Sequence, residues 1–88
     1  MKVVWTPHAK EDYLYWSKAD QKILRWINDL IRDIQRDPFK GLGKPEPLKH
    51  SLQGCWSRRI TLEDRLVYRV SGKGEAKQVE FIQCRYHY

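Results

Sequence analysis

The chain has 88 residues, enough for one domain with one modest core, since a fold of this size buries roughly 60% of its unfolded surface. A hydrophobic share of 41%, with four Trp and five Tyr, excludes a disordered chain. Lys plus Arg number 17 against 11 Asp plus Glu, and the formal charge of +6 favours a polyanionic partner: nucleic acid, anionic membrane or an acidic protein. No apolar run of about 18 residues and no charged-then-apolar leader is found, so the expectation is a soluble cytoplasmic protein with no membrane attachment.

Lys2 to Trp5 reads as a first strand, stopped by Thr6-Pro7, where Thr6 suits a helix cap and Pro7 its first turn. A helix follows, with Ala9, Tyr13 and Trp16 at i, i+4 and i+7 and with Glu11 and Asp12 early, where the helix dipole favours acids. A break at Ser17 to Asp20, either residue serving as cap, opens a second helix. Its stripe is Ile23, Ile27, Leu30, Ile31 and Ile34, with Lys22, Arg25, Asp29, Arg32 and Asp33 off it, and it ends before Asp37-Pro38. The two helices form a hairpin that needs a sheet to cover.

From Pro38 to Pro47, prolines and glycines crowd together and exclude a helix, so an ordered loop is expected. Gly41-Leu42-Gly43-Lys44 resembles a phosphate loop only superficially: the spacing is short and Pro45 stands where Ser or Thr is required. Beyond Gly54 the period becomes two. Trp56, Arg58 and Ile60 alternate with Ser57 and Arg59, and Leu66, Tyr68 and Val70 with Arg65, Val67 and Arg69, which predicts two strands joined at Thr61 to Asp64. After a turn beginning Ser71-Gly72-Lys73-Gly74, a last strand from Val79 to Arg85 is expected to place Ile82, Cys84 and Tyr86 on one face. Phe81, Gln83, Arg85 and His87 would then lie on a partly basic open face. No repeat and no second domain interrupts residues 1–88.

Cys55 and Cys84 are too few for a disulfide scaffold and read as reduced, mostly buried thiols. Cys84 and His87 differ in strand parity and point to opposite faces, which argues against zinc; no metal and no cofactor is expected. The sequence closes on Cys84-Arg85-Tyr86-His87-Tyr88, which delivers an imidazole, a side chain that titrates near neutrality, at the end of an alternating run. Glu46, between Pro45 and Pro47, is a carboxylate on a stiffened backbone.

Cleaving an RNA backbone requires a base for the 2′-hydroxyl proton, a cation for the charge on the phosphorane and an acid for the leaving 5′-oxygen. Glu46, Arg65 and His87 fit those roles, and no metal is needed because the nucleophile belongs to the substrate. Lys49, Arg59 and Arg85 are further phosphate-contact candidates, against the plainer readings of solvated charge or sheet-face salt bridge. Tyr88 would orient a base or steady the phosphate, or simply pack. His8 reads as a surface residue, His50 as structural with RNA contact the alternative, and Trp5, Trp16, Trp26 and Trp56 as core or interface before base-stacking.

Five ordered blocks carry a resemblance: Asp12 to Trp16; Gly43-Lys44-Pro45-Glu46-Pro47-Leu48-Lys49-His50; Trp56 to Ile60; Arg65 to Tyr68; and Cys84 to Tyr88. With them the chain resembles the YoeB toxins of the RelE/ParE superfamily over nearly its whole length. The resemblance implies an α+β, microbial-ribonuclease-like fold, two N-terminal helices packed on an antiparallel sheet. It further implies a toxin of a type II toxin-antitoxin system, a metal-independent endoribonuclease that cuts mRNA in the ribosomal A site and inhibits translation. Glu46 would be general base, His87 general acid and Arg65 transition-state stabiliser, with Lys49, Arg59 and Tyr88 supporting. The implied partners are a YefM-type antitoxin, the ribosome and mRNA, with a homodimer as a candidate assembly. A ParE-like non-catalytic inhibitor and a basic RNA-binding module are the alternatives. Two departures stand out: Cys55 occupies a position usually aromatic in relatives, and the Ser71 to Gln78 hairpin is longer and more basic, with Lys73 and Lys77.

Overall fold

A computed structural model of the protein describes residues 1–87. Strand β1 (Lys2–Trp5) leads into helices α1 (Pro7–Ala19) and α2 (Gln21–Arg36), followed by strands β2 (Glu46–Pro47), β3 (Trp56–Arg59), β4 (Arg65–Ser71) and β5 (Gln78–Gln83). The helix boundaries follow from capping. Thr6 Oγ1 accepts from the Ala9 N–H at 3.1 Å with Pro7 in the first turn, so α1 starts there. Asp20 ends one helix and starts the next: its N–H donates to the Trp16 carbonyl, while its carboxylate accepts from the Lys22 and Ile23 N–H groups at 2.9 and 3.1 Å. One residue therefore makes the whole hairpin bend.

The strands form one sheet in the order β1-β5-β4-β3-β2, with the two helices against one side. Every neighbouring pair is antiparallel except β1 and β5, which run parallel, so the expected antiparallel sheet is a mixed one. The helical hairpin supplies the long excursion between β1 and the rest of the sheet that parallel pairing requires. A further difference lies at the far edge: Glu46-Pro47, expected as loop, pairs with Ser57 and Trp56. Proline is tolerated there because an edge strand leaves one side of its backbone unpaired.

Ala9, Trp16, Ile27, Leu30 and Ile34 of the helices pack on Ile60, Leu66, Tyr68, Val79 and Phe81, a core that Cys84 completes. Behind the sheet, Leu48, Cys55 and Val67 form a small second cluster with Leu52 and Ile82 around them. The face assignment of the last strand is thereby corrected. Val79 and Phe81 are buried beneath the helices, Ile82 faces the second cluster, and Tyr86 is 61% exposed. Pairing stops after Gln83, where the Cys84 N–H turns to the Asp12 carboxylate at 3.0 Å. Period-two reading beyond that point extends a strand that has already ended.

Arg58 shares the helix-facing side and is wholly buried. Its guanidinium bonds Asp33 Oδ2 at 2.6 Å, the Tyr68 hydroxyl at 3.0 Å, and the carbonyls of Leu42, Asp37 and Lys40 at 2.8, 2.8 and 3.2 Å. The loop between α2 and β2 is thus tied from below. The Arg58 hydrogen bond holds the Asp33 carboxyl below its ordinary value, and burial pushes the Tyr68 phenol up. Gly41 is obligatory in this arrangement, with φ of 125° and Asp33 Oδ2 only 2.1 Å from where a Cβ would stand.

Candidate active site

Glu46 is opposite Ser57, and Ser57 opposite Val67, so these side chains share the face turned away from the helices. Two residues along, Arg59 is opposite Arg65 on that same face. Strand spacing and rise put the Cα atoms of Glu46 and Arg65 roughly 12 Å apart, a distance two extended side chains close around one phosphodiester. Glu46 also lines a shallow cleft of about 290 Å3 together with Lys49 and His50. His50, read from sequence as structural, therefore joins this cleft.

Arg65 is half-buried and its position is determined by its neighbours. Its Nη1 donates to the carbonyls of Thr61, Leu62 and Asp64 at 2.9, 3.1 and 3.1 Å. Its backbone N–H donates to the Tyr86 carbonyl at 2.8 Å, and the Tyr86 N–H donates to Asp64 Oδ1 at 2.6 Å. The backbone leading into His87 is consequently stapled beside Arg65. Residues 84 to 86 are held from α1 as well: the Asp12 carboxylate takes the Cys84 N–H, and the Trp16 indole donates to the Cys84 carbonyl at 2.7 Å. Burial, with the carboxylates of Asp12 and Asp64, pushes the Cys84 thiol up to about 12, which makes it an inert core group.

Lys44, His50 and Tyr86, with φ of 53°, 58° and 62°, are the non-glycine residues with left-handed backbones among the described residues. Each lies within two residues of Glu46, Lys49 or His87. Such conformations cost about 1–3 kcal/mol and collect where a chain must present a side chain at an angle that regular structure does not offer.

Of the residues singled out from sequence, Glu46, Arg59 and Arg65 lie on one face of the sheet, Lys49 lines the edge cleft with Glu46, and the backbone just before His87 bonds Arg65. Arg85 is different. Its guanidinium sits 3.4 Å from the centre of the Tyr15 ring and 4.6 Å from that of Tyr86, stacked at the end of α1. Tyr88 lies outside the described residues. Asp12, Trp16 and Asp64, which hold the residues leading into His87, were missed as a group: a carboxylate early in a helix looks like dipole complementation until it is found 7% exposed.

The family described as YoeB-like toxin of bacterial type II toxin-antitoxin system matches residues 5–88. Toxin YoeB of Escherichia coli K12 is 52% identical to this chain over 88 residues, covering all of both. The chain belongs to the YoeB family of toxins. Among solved structures, the YoeB/ParE toxin from Agrobacterium tumefaciens superposes with a TM-score of 0.96 at 57% identity, covering 100% of each chain. The YoeB of the YoeB-YefM complex from Staphylococcus aureus gives 0.86 at 39%, covering 100% of this chain and 98% of that one. Cys55 is buried in the second cluster with Leu48 and Val67. The hairpin between β4 and β5 closes through a turn at Gly74–Ala76 and exposes Lys73.

Proposed function

We propose that this YoeB family member is a ribosome-dependent endoribonuclease that cuts mRNA in the A site and thereby stops translation. The observation that carries the reading is the joining of three strands and the chain end: Glu46, Arg59 and Arg65 share one face, and the Arg65 N–H bonds the carbonyl that precedes His87. Glu46 takes the 2′-hydroxyl proton, the 2′-oxygen attacks phosphorus, and the P–O5′ bond breaks as His87 gives its proton to the leaving 5′-oxygen. Arg65 and Arg59 meet the charge developing on the non-bridging oxygens, with Lys49 on the flanking phosphate and Tyr88 steadying the nucleotide. The products carry a 2′,3′-cyclic phosphate and a 5′-hydroxyl, and no group outside substrate and protein enters the balance.

One carboxylate and one imidazole on an open face leave substrate orientation to be supplied from outside, the part assigned to the ribosome, since orientation alone can account for about 7–11 kcal/mol of a barrier. The neutralising partner in this reading is a YefM-type antitoxin, whose acidic, partly unstructured segment folds over the basic face; an S. aureus relative is solved in complex with YefM. All of this is set in the cytoplasm. The deciding experiment adds purified protein to a translation extract and maps the mRNA ends. Cuts within ribosome-bound codons that leave a 5′-hydroxyl are expected. Intact mRNA would sink the reading in favour of a non-catalytic inhibitor or binding module, and a 5′-phosphate would point to hydrolysis by activated water.

A further inference from the structure

Arg85 stands apart from the other phosphate-contact candidates. Among the described residues no carboxylate pairs with its guanidinium, which lies instead 3.4 Å from the centre of the Tyr15 ring and 4.6 Å from that of Tyr86. We propose that Tyr15, Arg85 and Tyr86 form a clamp that fixes the backbone at residue 86 and so aims His87 at the leaving oxygen, with Arg85 a positioning residue and not a phosphate contact. The inference rests on the RNA-cleaving reading and adds to it what holds the general acid in place.

Backbone bonds alone leave this segment under-restrained. Asp12 and Trp16 fix residue 84, and Asp64 and Arg65 fix residue 86, all through main-chain groups. Tyr86 nevertheless holds a left-handed backbone, with φ of 62°, a conformation that an aromatic residue rarely adopts. Burial does not hold it there, because the residue is 61% exposed. Relaxation of Tyr86 toward the extended region would swing the residue that follows, which is His87. A side-chain contact from Arg85 to the Tyr86 ring opposes that relaxation, and the contact from Arg85 to Tyr15 ties both residues to α1.

The anchor is rigid. Tyr15 meets Trp16 edge-on, with ring centres 5.1 Å apart at 74°, and Trp16 is itself buried with its indole bonded to the Cys84 carbonyl at 2.7 Å. Two consecutive residues of one helix therefore hold two consecutive residues of the chain end, Trp16 through the backbone of Cys84 and Tyr15 through the side chain of Arg85. Arginine suits the middle position because its planar guanidinium lies on an aromatic face and keeps its charge at every working pH. The clamp also accounts for two exposed aromatic rings, Tyr15 and Tyr86, that no apolar cluster claims.

The test uses the full chain with Arg85→Met, Arg85→Lys, Tyr15→Leu, Tyr15→Phe and the Arg85→Met, Tyr15→Leu double variant, folding of each being checked by thermal unfolding. Cleavage of ribosome-bound mRNA gives kcat and KM, the salt dependence of ribosome binding reports phosphate contacts, and hydrogen exchange at the Tyr86 N–H reports the clamp in free protein. Arg85→Met and Tyr15→Leu should each lower kcat about 10-fold with KM and salt slope held, and the double variant should be no slower than either, because both break one contact. Tyr15→Phe keeps the ring and should cut near the parental rate, while Arg85→Lys keeps the charge without the planar group and should fall between. Exchange at the Tyr86 N–H should quicken in Arg85→Met and Tyr15→Leu and not in Tyr15→Phe. Tyr15→Leu and Arg85→Lys carry the same test if Arg85→Met does not fold. A salt slope lowered by about one in Arg85→Met and restored in Arg85→Lys, with parental cleavage in Tyr15→Leu, overturns the clamp in favour of a phosphate contact. Parental kcat in folded Arg85→Met and Tyr15→Leu, or losses that add in the double variant, overturns it as well. Quickened exchange in the variants of a protein that cuts no mRNA supports the clamp and removes the cleavage reading instead.

Discussion

Glu46 and His87 are asked to move one proton each, a task usually worth 10²- to 10⁴-fold. Glu46→Gln and His87→Gln should therefore each slow the single-turnover cut by roughly that factor while leaving Tm near the parent, because both side chains are exposed. A loss below 10-fold in either variant would reassign its role. Asp33 behaves oppositely. As the buried carboxylate paired to Arg58, its removal in Asp33→Asn leaves an uncompensated guanidinium, and a loss of about 3–5 kcal/mol is expected in chemical denaturation. Its folded pKa lies below the ordinary 3.8, so the stabilisation is fully present above that value and is lost as pH falls through the folded pKa. Acid titration of parent and Asp33→Asn should show their stability gap closing only at low pH. A gap that persisted unchanged into strong acid would mean that the pair contributes nothing by charge.

At the scale of elements, the chain end is a strap rather than a strand. β5 is held by Val79 and Phe81, and the strap by Asp12 and Trp16 on one side and Asp64 and Arg65 on the other. Deleting His87 and Tyr88 should thus abolish cleavage with little change in Tm, since none of those anchors is removed; a truncated protein cutting at the parental rate would free His87 of its role. Asp64→Ala removes the acceptor of the Tyr86 N–H and should lower kcat by about 10-fold with KM nearly constant, as expected for a positioning residue. Asp64→Asn, which keeps a carbonyl oxygen in that place, should restore most of the rate. Equal loss in both variants would make charge, and not position, the contribution.

For the whole molecule, a net charge of +6 sets the range of its associations. Binding to ribosomes or RNA should weaken as salt rises, with a log–log slope growing with the number of phosphates met, and replacing Lys49 by Ala should reduce that slope by roughly one. An unchanged slope would place Lys49 off the phosphate path. The same field favours an acidic antitoxin segment, and the hairpin that exposes Lys73 adds to it away from the cleavage residues.

Local rules reached far along this chain. Thr6-Pro7, Asp20 and Asp37-Pro38 mark the helix ends because capping and proline sterics depend on a few adjacent atoms. Period-two alternation located β3 and β4, residue chemistry singled out Glu46, Lys49, Arg59, Arg65 and His87 as candidates, and the resemblance supplied the fold class and the roles proposed for them. What the sequence by itself did not determine is everything that depends on which distant groups meet. Arg58 and Asp33 look like solvated charges until packing buries them against each other, since a side chain's partner 25 residues away leaves no trace in local pattern. Parallel pairing of β1 with β5 depends on where the helical hairpin returns the chain. The turn of the last residues away from the sheet is decided by Asp12 and Asp64, whose carboxylates outcompete the ladder for two backbone N–H groups. Only the closed fold brings those acceptors within hydrogen-bond range.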